Sequence, residues 1–512
     1  MNTQYSIFDV LYPKYKITKP IRLIEMFSGY GSQALALKYL GVPFEHWKIC
    51  EWAIKSIQAY KDIHFTNDNT DYSKLHSKDS LIKRLYEIGI SNNYNEPMTL
   101  EQIKRLSESQ IRIIYNNIRA THNLVNIQQV KGFDLEICET DKYNYILTYS
   151  FPCQDLSLAG KGKGMSDTST RSGMLWEVER ILTECYELKT LPQILLMENV
   201  PQVHGEGNTE DFNKWQLRLE ELGYKNYWQD LIATDYGIPQ TRNRCFMISI
   251  LGDYSYTFPK PIPLKLKLKD MLEDNVDEKY YLSEKGIQYI CGNALNKDLK
   301  DRIDRSKTKL SKEIAYTIST KQDRRCGDAN FILDGYGETT IEEFLKIKNK
   351  SLKETLEQNN IDDTCYIDAY NKRIDKEKSG TITTGVSFRN NTFIAQPNMK
   401  TQLCNDLILK RKVKENDVIR HSYSNSRMKD WETRSVEQNN ISPTLDTRCD
   451  CLGVVNNMRI RKLTPKECFR LMGVKDEDYE KVAKNQSNAS LYHLAGDSIV
   501  VNVLMAILKE LL

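Results

Sequence analysis

A cysteine stands just past a short apolar run in Tyr145-Ile146-Leu147-Thr148-Tyr149-Ser150-Phe151-Pro152-Cys153-Gln154. The run is brief and rich in β-forming residues, so it reads as a buried strand, and Pro152 ends it because proline has no ladder donor. A residue just beyond the carboxyl end of a strand in an open α/β sheet lies in the crevice where such sheets bind ligands. There Cys153, as a thiolate, is a nucleophile. Cysteines are more often small buried hydrophobes, so this assignment leans on its neighbours. Glu198 follows the apolar run 193–197. Parallel strands put their carboxyl ends on one rim, which sets Glu198 beside Cys153 as a proton donor or a hydrogen-bond partner to a substrate ring. Arg242 and Arg244, in Gln240-Thr241-Arg242-Asn243-Arg244, point to one side if the segment is extended and suit phosphate or a polar base edge.

The elements that must hold these groups read as a doubly wound sheet. A first strand from Ile21 enters a turn with Phe27, Gly29 and Gly31, and a helix over 33–39 stops at Gly41. Such a turn lets backbone approach a ligand and presents helix N–H groups to it. A second strand, 46–50, ends in Glu51-Trp52; the acid suits ribose hydroxyls, and Trp52 could stack on an adenine. Residues 66–121 read as a peripheral helical insertion, with helical patches at 80–90 and 99–119. A third strand over 123–128 would bring the Asn126 amide to an adenine edge. A core-facing helix over 171–182 and strands at 227–233 and 245–251 complete the set.

With 512 residues, 40% hydrophobic and 28% charged, the chain has the composition of a soluble protein of two or three domains. Its first 20 residues hold no signal-like apolar run, so a cytoplasmic protein without a membrane span is expected. The 12 cysteines are scattered and read as free thiols. Cys449 and Cys451 form a close pair without a second pair at matching spacing, so no metal is expected. Net charge is only +3, yet basic residues outnumber acidic ones over 258–484, which fits a polyanion-facing lobe.

Taken together, Phe27-Ser28-Gly29-Tyr30-Gly31, Glu51-Trp52, Pro152-Cys153-Gln154, Glu198-Asn199-Val200 and Gln240 to Arg244 occur in the order and spacing of the DNA (cytosine-5) methyltransferases. Arg461 to Gly473 resembles that family's penultimate motif, and Gly496-Asp497-Ser498-Ile499-Val500-Val501 its last. The resemblance implies an S-adenosylmethionine-dependent methyltransferase (Rossmann-like) α/β sheet domain with a smaller β-containing target-recognition lobe. It implies a target cytosine turned out of double-stranded DNA, Cys153 adding to C6, and Glu198 holding the ring N3 and exocyclic amine. Arg242 and Arg244 would position the base and Cys153, with Arg244 near the cytosine O2. Phe27, Gly29, Gly31, Glu51, Trp52, Asn126, Ser498 and Val500 would form the cofactor pocket. The chain departs from the pattern at Asp497, Asn126 and Ser150, where the family usually has Asn, Asp and Gly, and none of these removes a catalytic group. An RNA cytosine-5 methyltransferase with the same nucleophile is the alternative. A monomer is expected, with a cognate restriction endonuclease as a separate partner.

The expected domains are a catalytic unit, 1–257 completed by 485–512, and a recognition lobe, 258–484. Within the lobe Thr317-Ile318-Ser319-Thr320, Thr381-Ile382-Thr383-Thr384 and Thr444-Leu445-Asp446-Thr447 recur at nearly equal intervals. Each is followed by arginine and then by an apolar pair: Phe331-Ile332, Phe393-Ile394 and Val454-Val455. Thr hydroxyls reach phosphate or bases and Arg reads guanine, so these units are expected to meet the duplex.

Overall fold

The computed structural model describes residues 12–152, 172–281 and 463–512 in full and, between 282 and 462, the backbone of strands from Ala329 to Lys462. The central sheet contains β1 (Ile21–Met26), β2 (Phe44–Cys50), β3 (Asn144–Tyr149), β4 (Ile194–Asn199), β5 (Tyr224–Ile232) and β6 (Asn243–Leu251). The order is β2-β1-β3-β4-β6-β5, in which β2, β1, β3 and β4 run parallel and β6 is antiparallel to both β4 and β5.

Both faces of this sheet are covered, which is why its inner strands read as nearly continuous apolar runs. Ile194 and Leu196 of β4 enter one core with Ile146, Phe246 and Ile248, while Leu195 and Met197 enter the other with Leu147 and Met247. Each such side chain contributes roughly 1.5–3 kcal/mol by leaving water. The same alternation sends Glu25 and Glu198 to the first of these faces.

On that face pack α1 (Ser32–Leu40) and, from the far end of the chain, α8 (Pro465–Leu471), α9 (Asp476–Ala483), α10 (Asn488–Asp497) and α11 (Val501–Leu511), numbered in chain order with the helices given below. Asn488–Leu511 is apolar enough to cross a membrane by length and composition, but 67% of its most apolar window is buried, with Leu504, Ile507 and Leu511 in the core. Leu268, Met271, Leu463, Phe469 and Val482 join the same core. The opposite face carries α6 (Leu175–Glu187) and α7 (Thr209–Glu221).

Helix α2 (Ile54–His64) leads into the insertion, α3 (Lys78–Glu87), α4 (Leu100–Lys104) and α5 (Glu108–Ala120), which buries Leu81, Leu85, Ile103 and Ile111 in a core of its own. The stretch 99–119 is two helices rather than one. Ser107 and Gln110 form a capping box that starts a new helix in mid-run, just as Thr99 and Gln102 start the first.

The third strand expected over 123–128 does not form. Asn123 makes a single parallel bridge to Ile49, and then Val125 takes a left-handed φ of 66°, which breaks the extended path.

In the lobe, β7 (Ala329–Leu333), β8 (Tyr366–Asp368), β9 (Arg373–Asp375), β10 (Phe393–Ala395), β11 (Val418–Ser422), β12 (Glu432–Glu437), β13 (Gly453–Asn456) and β14 (Arg459–Lys462) are described as backbone. Strands β10 and β7 pair in parallel with Phe393 opposite Phe331 and Ile394 opposite Ile332. Equivalent positions of two sequence units thus meet in register, and β13, carrying the third pair, lies in the same sheet. The threonine segments and their following arginines lie outside the described residues, as do Cys449 and Cys451.

Candidate active site

The turn after β1 takes left-handed φ at Phe27 (57°), Gly29 (55°) and Gly31 (84°). Gly31 is required for packing as well as for φ. A Cβ there would lie 2.4 Å from His64 Nε2 and 2.6 Å from the Tyr60 ring. A Cβ on Gly29 would meet nothing within 4 Å, so Gly29 faces open space. That space is a cleft of about 430 Å³, its open mouth included, lined by Phe27, Ser28 and Gly29 on one side and by Leu494, Asp497, Ser498 and Ile499 from the chain's end. Ser32, Gln33, Ser56, Tyr94 and Ser150 complete the wall. The N-cap residue of α1, Gly31, has no side chain to cap the helix, and Glu25 Oε1 from β1 accepts from the Ala34 N–H at 3.3 Å instead.

Of the residues expected to hold a cofactor, Phe27, Gly29 and Ser498 line the cleft. Ser498 Oγ accepts from the Tyr30 hydroxyl at 2.8 Å and donates to the Ala495 carbonyl at 2.9 Å. Val500 is buried in the core, and Ile499 takes its place in the wall. Glu51 stands behind the turn: Oε2 accepts from the Gly29 N–H at 3.0 Å and Oε1 from the Ala53 N–H at 2.8 Å. Burial pushes its carboxyl up to about 7, against these N–H groups, which favour the anion. Trp52 is half-buried against the insertion's core. Asn126 is buried, and its Oδ1 accepts from the Gln128 N–H at 3.1 Å, capping the turn that replaced the strand.

Along the sheet rim, Glu198, the penultimate residue of β4, has 4% of its surface exposed. Ser150, directly after β3, donates its hydroxyl to Glu198 Oε2 at 2.5 Å. On the other side Arg244 Nε lies 3.2 Å from Glu198 Oε1. Arg244, expected near a base oxygen, is therefore an ion-pair partner of Glu198 and also donates to the Asn243 carbonyl at 2.7 Å. Arg242 is 5% exposed, just before β6, and its carbonyl accepts from the Ala233 N–H at 2.9 Å. Gln240 ties this segment to the helix of the penultimate motif, donating to the Leu471 carbonyl at 2.5 Å.

Asn199 does similar work for the segment that leads to Cys153. Its Nδ2 donates to the Phe151 carbonyl at 3.0 Å, and its Oδ1 accepts from the Val200 N–H at 2.8 Å. Cys153 itself lies outside the described residues, two positions beyond this anchor. Sequence reasoning quoted Asn199 and Ser150 but gave neither a role; only the three-dimensional neighbourhood of Phe151 and Glu198 does so.

Among the described residues one group has metal-ligand chemistry: His204, Asp230 and Cys245, with ligand atoms within 4.8 Å of one another. His204 and Asp230 are hydrogen-bonded at 2.9 Å, and burial holds the Cys245 thiol well above its ordinary range, which disfavours the thiolate a metal needs.

An open α/β sheet that gathers polar side chains at the carboxyl ends of neighbouring parallel strands, beside a glycine-turn cleft, has the architecture of a Rossmann-like ligand-binding domain. Residues 103–512 match the family described as C-5 cytosine-specific DNA methylase. The orphan methyltransferase M.SssI of Spiroplasma monobiae is 39% identical over 272 residues, covering 52% of this chain and 68% of that protein. The type II methyltransferase M2.ScrFI of Lactococcus lactis subsp. cremoris is 36% identical over the same length, covering 52% and 71%. The orphan methyltransferase M.SPRI of Bacillus phage SPR is 27% identical over 529 residues, 96% of this chain and 97% of its own. The chain belongs to the C-5 cytosine-specific DNA methylases and is a DNA (cytosine-5) methyltransferase.

Proposed function

We propose that Cys153, Glu198, Arg242 and Arg244 form the catalytic centre, that the cleft beside Gly29 holds S-adenosylmethionine, and that the inserted lobe selects the sequence. The observation that carries this reading is the coupling of Ser150, Glu198 and Arg244 at the ends of β3, β4 and β6, within reach of the cleft that Ser150 also lines. The open space over Gly29 and the polar lining of Ser28, Ser32 and Ser498 fit a small-molecule cofactor bearing hydroxyls and a carboxylate. When bound, S-adenosylmethionine supplies an electrophilic methyl group.

The chain's own residues prepare the acceptor. The Cys153 thiolate adds to C6 of a cytosine turned out of the duplex, forming an S–C6 bond and making C5 electron-rich. Glu198 carries a proton to N3 and accepts from the exocyclic amine, and protonation at N3 favours that addition by drawing density from the ring. Arg244 and Ser150 fix the carboxylate's direction before substrate arrives, so little reorganisation is left for the reaction. After C5 is methylated a base, for which bound water suffices, takes the C5 proton; its electron pair re-forms the C5–C6 double bond as the S–C6 bond breaks and the thiolate returns.

Trapping tests this. Duplex DNA containing 5-fluorocytosine and S-adenosylmethionine should give a denaturation-resistant complex with wild type and none with Cys153→Ser, because fluorine does not leave as the proton does. Absence of a complex on DNA of diverse sequence, from protein that binds the cofactor, would overturn the covalent route. The matched relatives include both orphan and type II methyltransferases, so a cognate endonuclease belongs to this proposal only as a separate partner. A cytoplasmic monomer completes it.

A further inference from the structure

The insertion between α2 and β3 does more than cover the sheet's edge. Its loop between α3 and α4 is sewn to the strand end that carries Glu51: the Ser91 N–H donates to the Trp52 carbonyl at 2.7 Å, and the Ile54 N–H to the Ser91 carbonyl at 2.9 Å. Inside the loop, Asn93 Oδ1 accepts from the N–H groups of Asn95 (2.9 Å) and Glu96 (3.2 Å), and the Ser91 hydroxyl closes onto the Glu96 carbonyl at 2.7 Å.

Tyr94 sits at the tip with a left-handed φ of 62°. Holding a bulky residue there costs about 1 kcal/mol or more, a strain that persists where the surroundings enforce it and that clusters at ligand sites. Those surroundings are the cleft. Tyr94 lines it together with Ser56, Leu494 and Asp497. Its ring meets His493 edge-on with centroids 3.9 Å apart, and His493 Nδ1 lies 3.2 Å from Asp497 Oδ2. Burial raises the hydroxyl's pKa, against a lowering contribution from Ser56, so it stays neutral.

We infer that Tyr94 is a binding residue of the methyl-donor site, an aromatic wall delivered by the helical insertion rather than by the strand-end turns. This rests on the reading of the cleft as the S-adenosylmethionine site. The insertion is thus part of the cofactor site, and Tyr94 joins it to α10 across the cleft.

Calorimetric titration with S-adenosylhomocysteine tests it without turnover. Tyr94→Phe should bind within about twofold of wild type, while Tyr94→Gly and Tyr94→Ala should lose roughly three- to tenfold, the range an aromatic contact supplies. Glycine accepts the positive φ, so Tyr94→Gly should keep the wild-type melting temperature within a few degrees, which separates lost contact from lost fold. Wild-type affinity in Tyr94→Gly, or tighter binding because the ring obstructs the cleft, would overturn the role of Tyr94 alone. Failure of wild type to bind would instead overturn the reading of the cleft, and Tyr94 with it.

Discussion

The Glu198 carboxylate is held from both sides, and the two restraints differ in kind. Arg244 supplies charge across a distance of 3.2 Å, while Ser150 supplies one short, directed hydrogen bond. Losing that hydrogen bond leaves a nearly buried oxygen without its donor, at a cost of about 1–3 kcal/mol. Ser150→Ala should therefore lower kcat about ten- to a hundredfold while DNA binding changes little, as single-turnover methylation and a mobility shift would report. A second buried acid, Glu25 on β1, lies behind the glycine turn, accepting from the Tyr60 hydroxyl at 2.5 Å and the Ala34 N–H at 3.3 Å. Burial raises its carboxyl from 4.5 to about 7. The folded state thus binds this proton more tightly than the unfolded chain does. The resulting stabilisation is complete below about 4.5 and is lost as pH rises through 7. His46, which meets the Tyr60 hydroxyl at 2.9 Å, runs the other way: burial lowers it from 6.5 to about 4, and its share is lost as pH falls. Subtracting the urea stability of Glu25→Gln from that of wild type isolates the acid. That difference should fall by on the order of 3 kcal/mol between pH 4.5 and 7, then level off.

At the scale of elements, the strands were the legible part, because a sheet covered on both faces writes itself as short apolar runs. Strands β2, β3, β5 and β6 were foreseen within a few residues, and Glu198 proved to be the penultimate residue of β4 rather than just beyond it. The helix break at Ser107 was also legible in principle through the spacing Ser107-x-x-Gln110, but the amphipathic pattern across it masked the signal. What resisted reading was anything set by contacts distant in sequence. The left-handed backbone at Val125 does not announce itself in a β-branched residue, and the contact of Gly31 with His64 needs α2 to be in place. That contact has a consequence for stability. Gly31→Ala meets both an unfavourable φ and two ring atoms, so it should destabilise by roughly 2–4 kcal/mol, measurable as a lower urea midpoint with an unchanged slope.

For the whole molecule, the three threonine units bear on how many places the enzyme touches DNA. Replacing Arg389 or Arg448 should alter the set of methylated sites, read by sequencing treated DNA, or reduce the salt slope of binding by about one. Unchanged site choice and salt dependence in both variants would remove these arginines from recognition. The register of Phe331 with Phe393 was foreshadowed by the repeat, although no spacing argument specified that the two strands would be neighbours. Where the chain leaves the packed core and where it returns are fastened together: the Glu273 N–H donates to Glu467 Oε1 at 2.9 Å, the Thr464 hydroxyl to the Glu273 carboxylate, and Arg470 to the carbonyls of Met271 and Leu272 at 3.1 Å each. The core therefore closes the loop by itself, and a longer or shorter excursion between these anchors changes the closure entropy only slowly with length. Heredity can exploit such an arrangement: the segment between these anchors is open to wholesale replacement by recombination while the packed core is inherited intact.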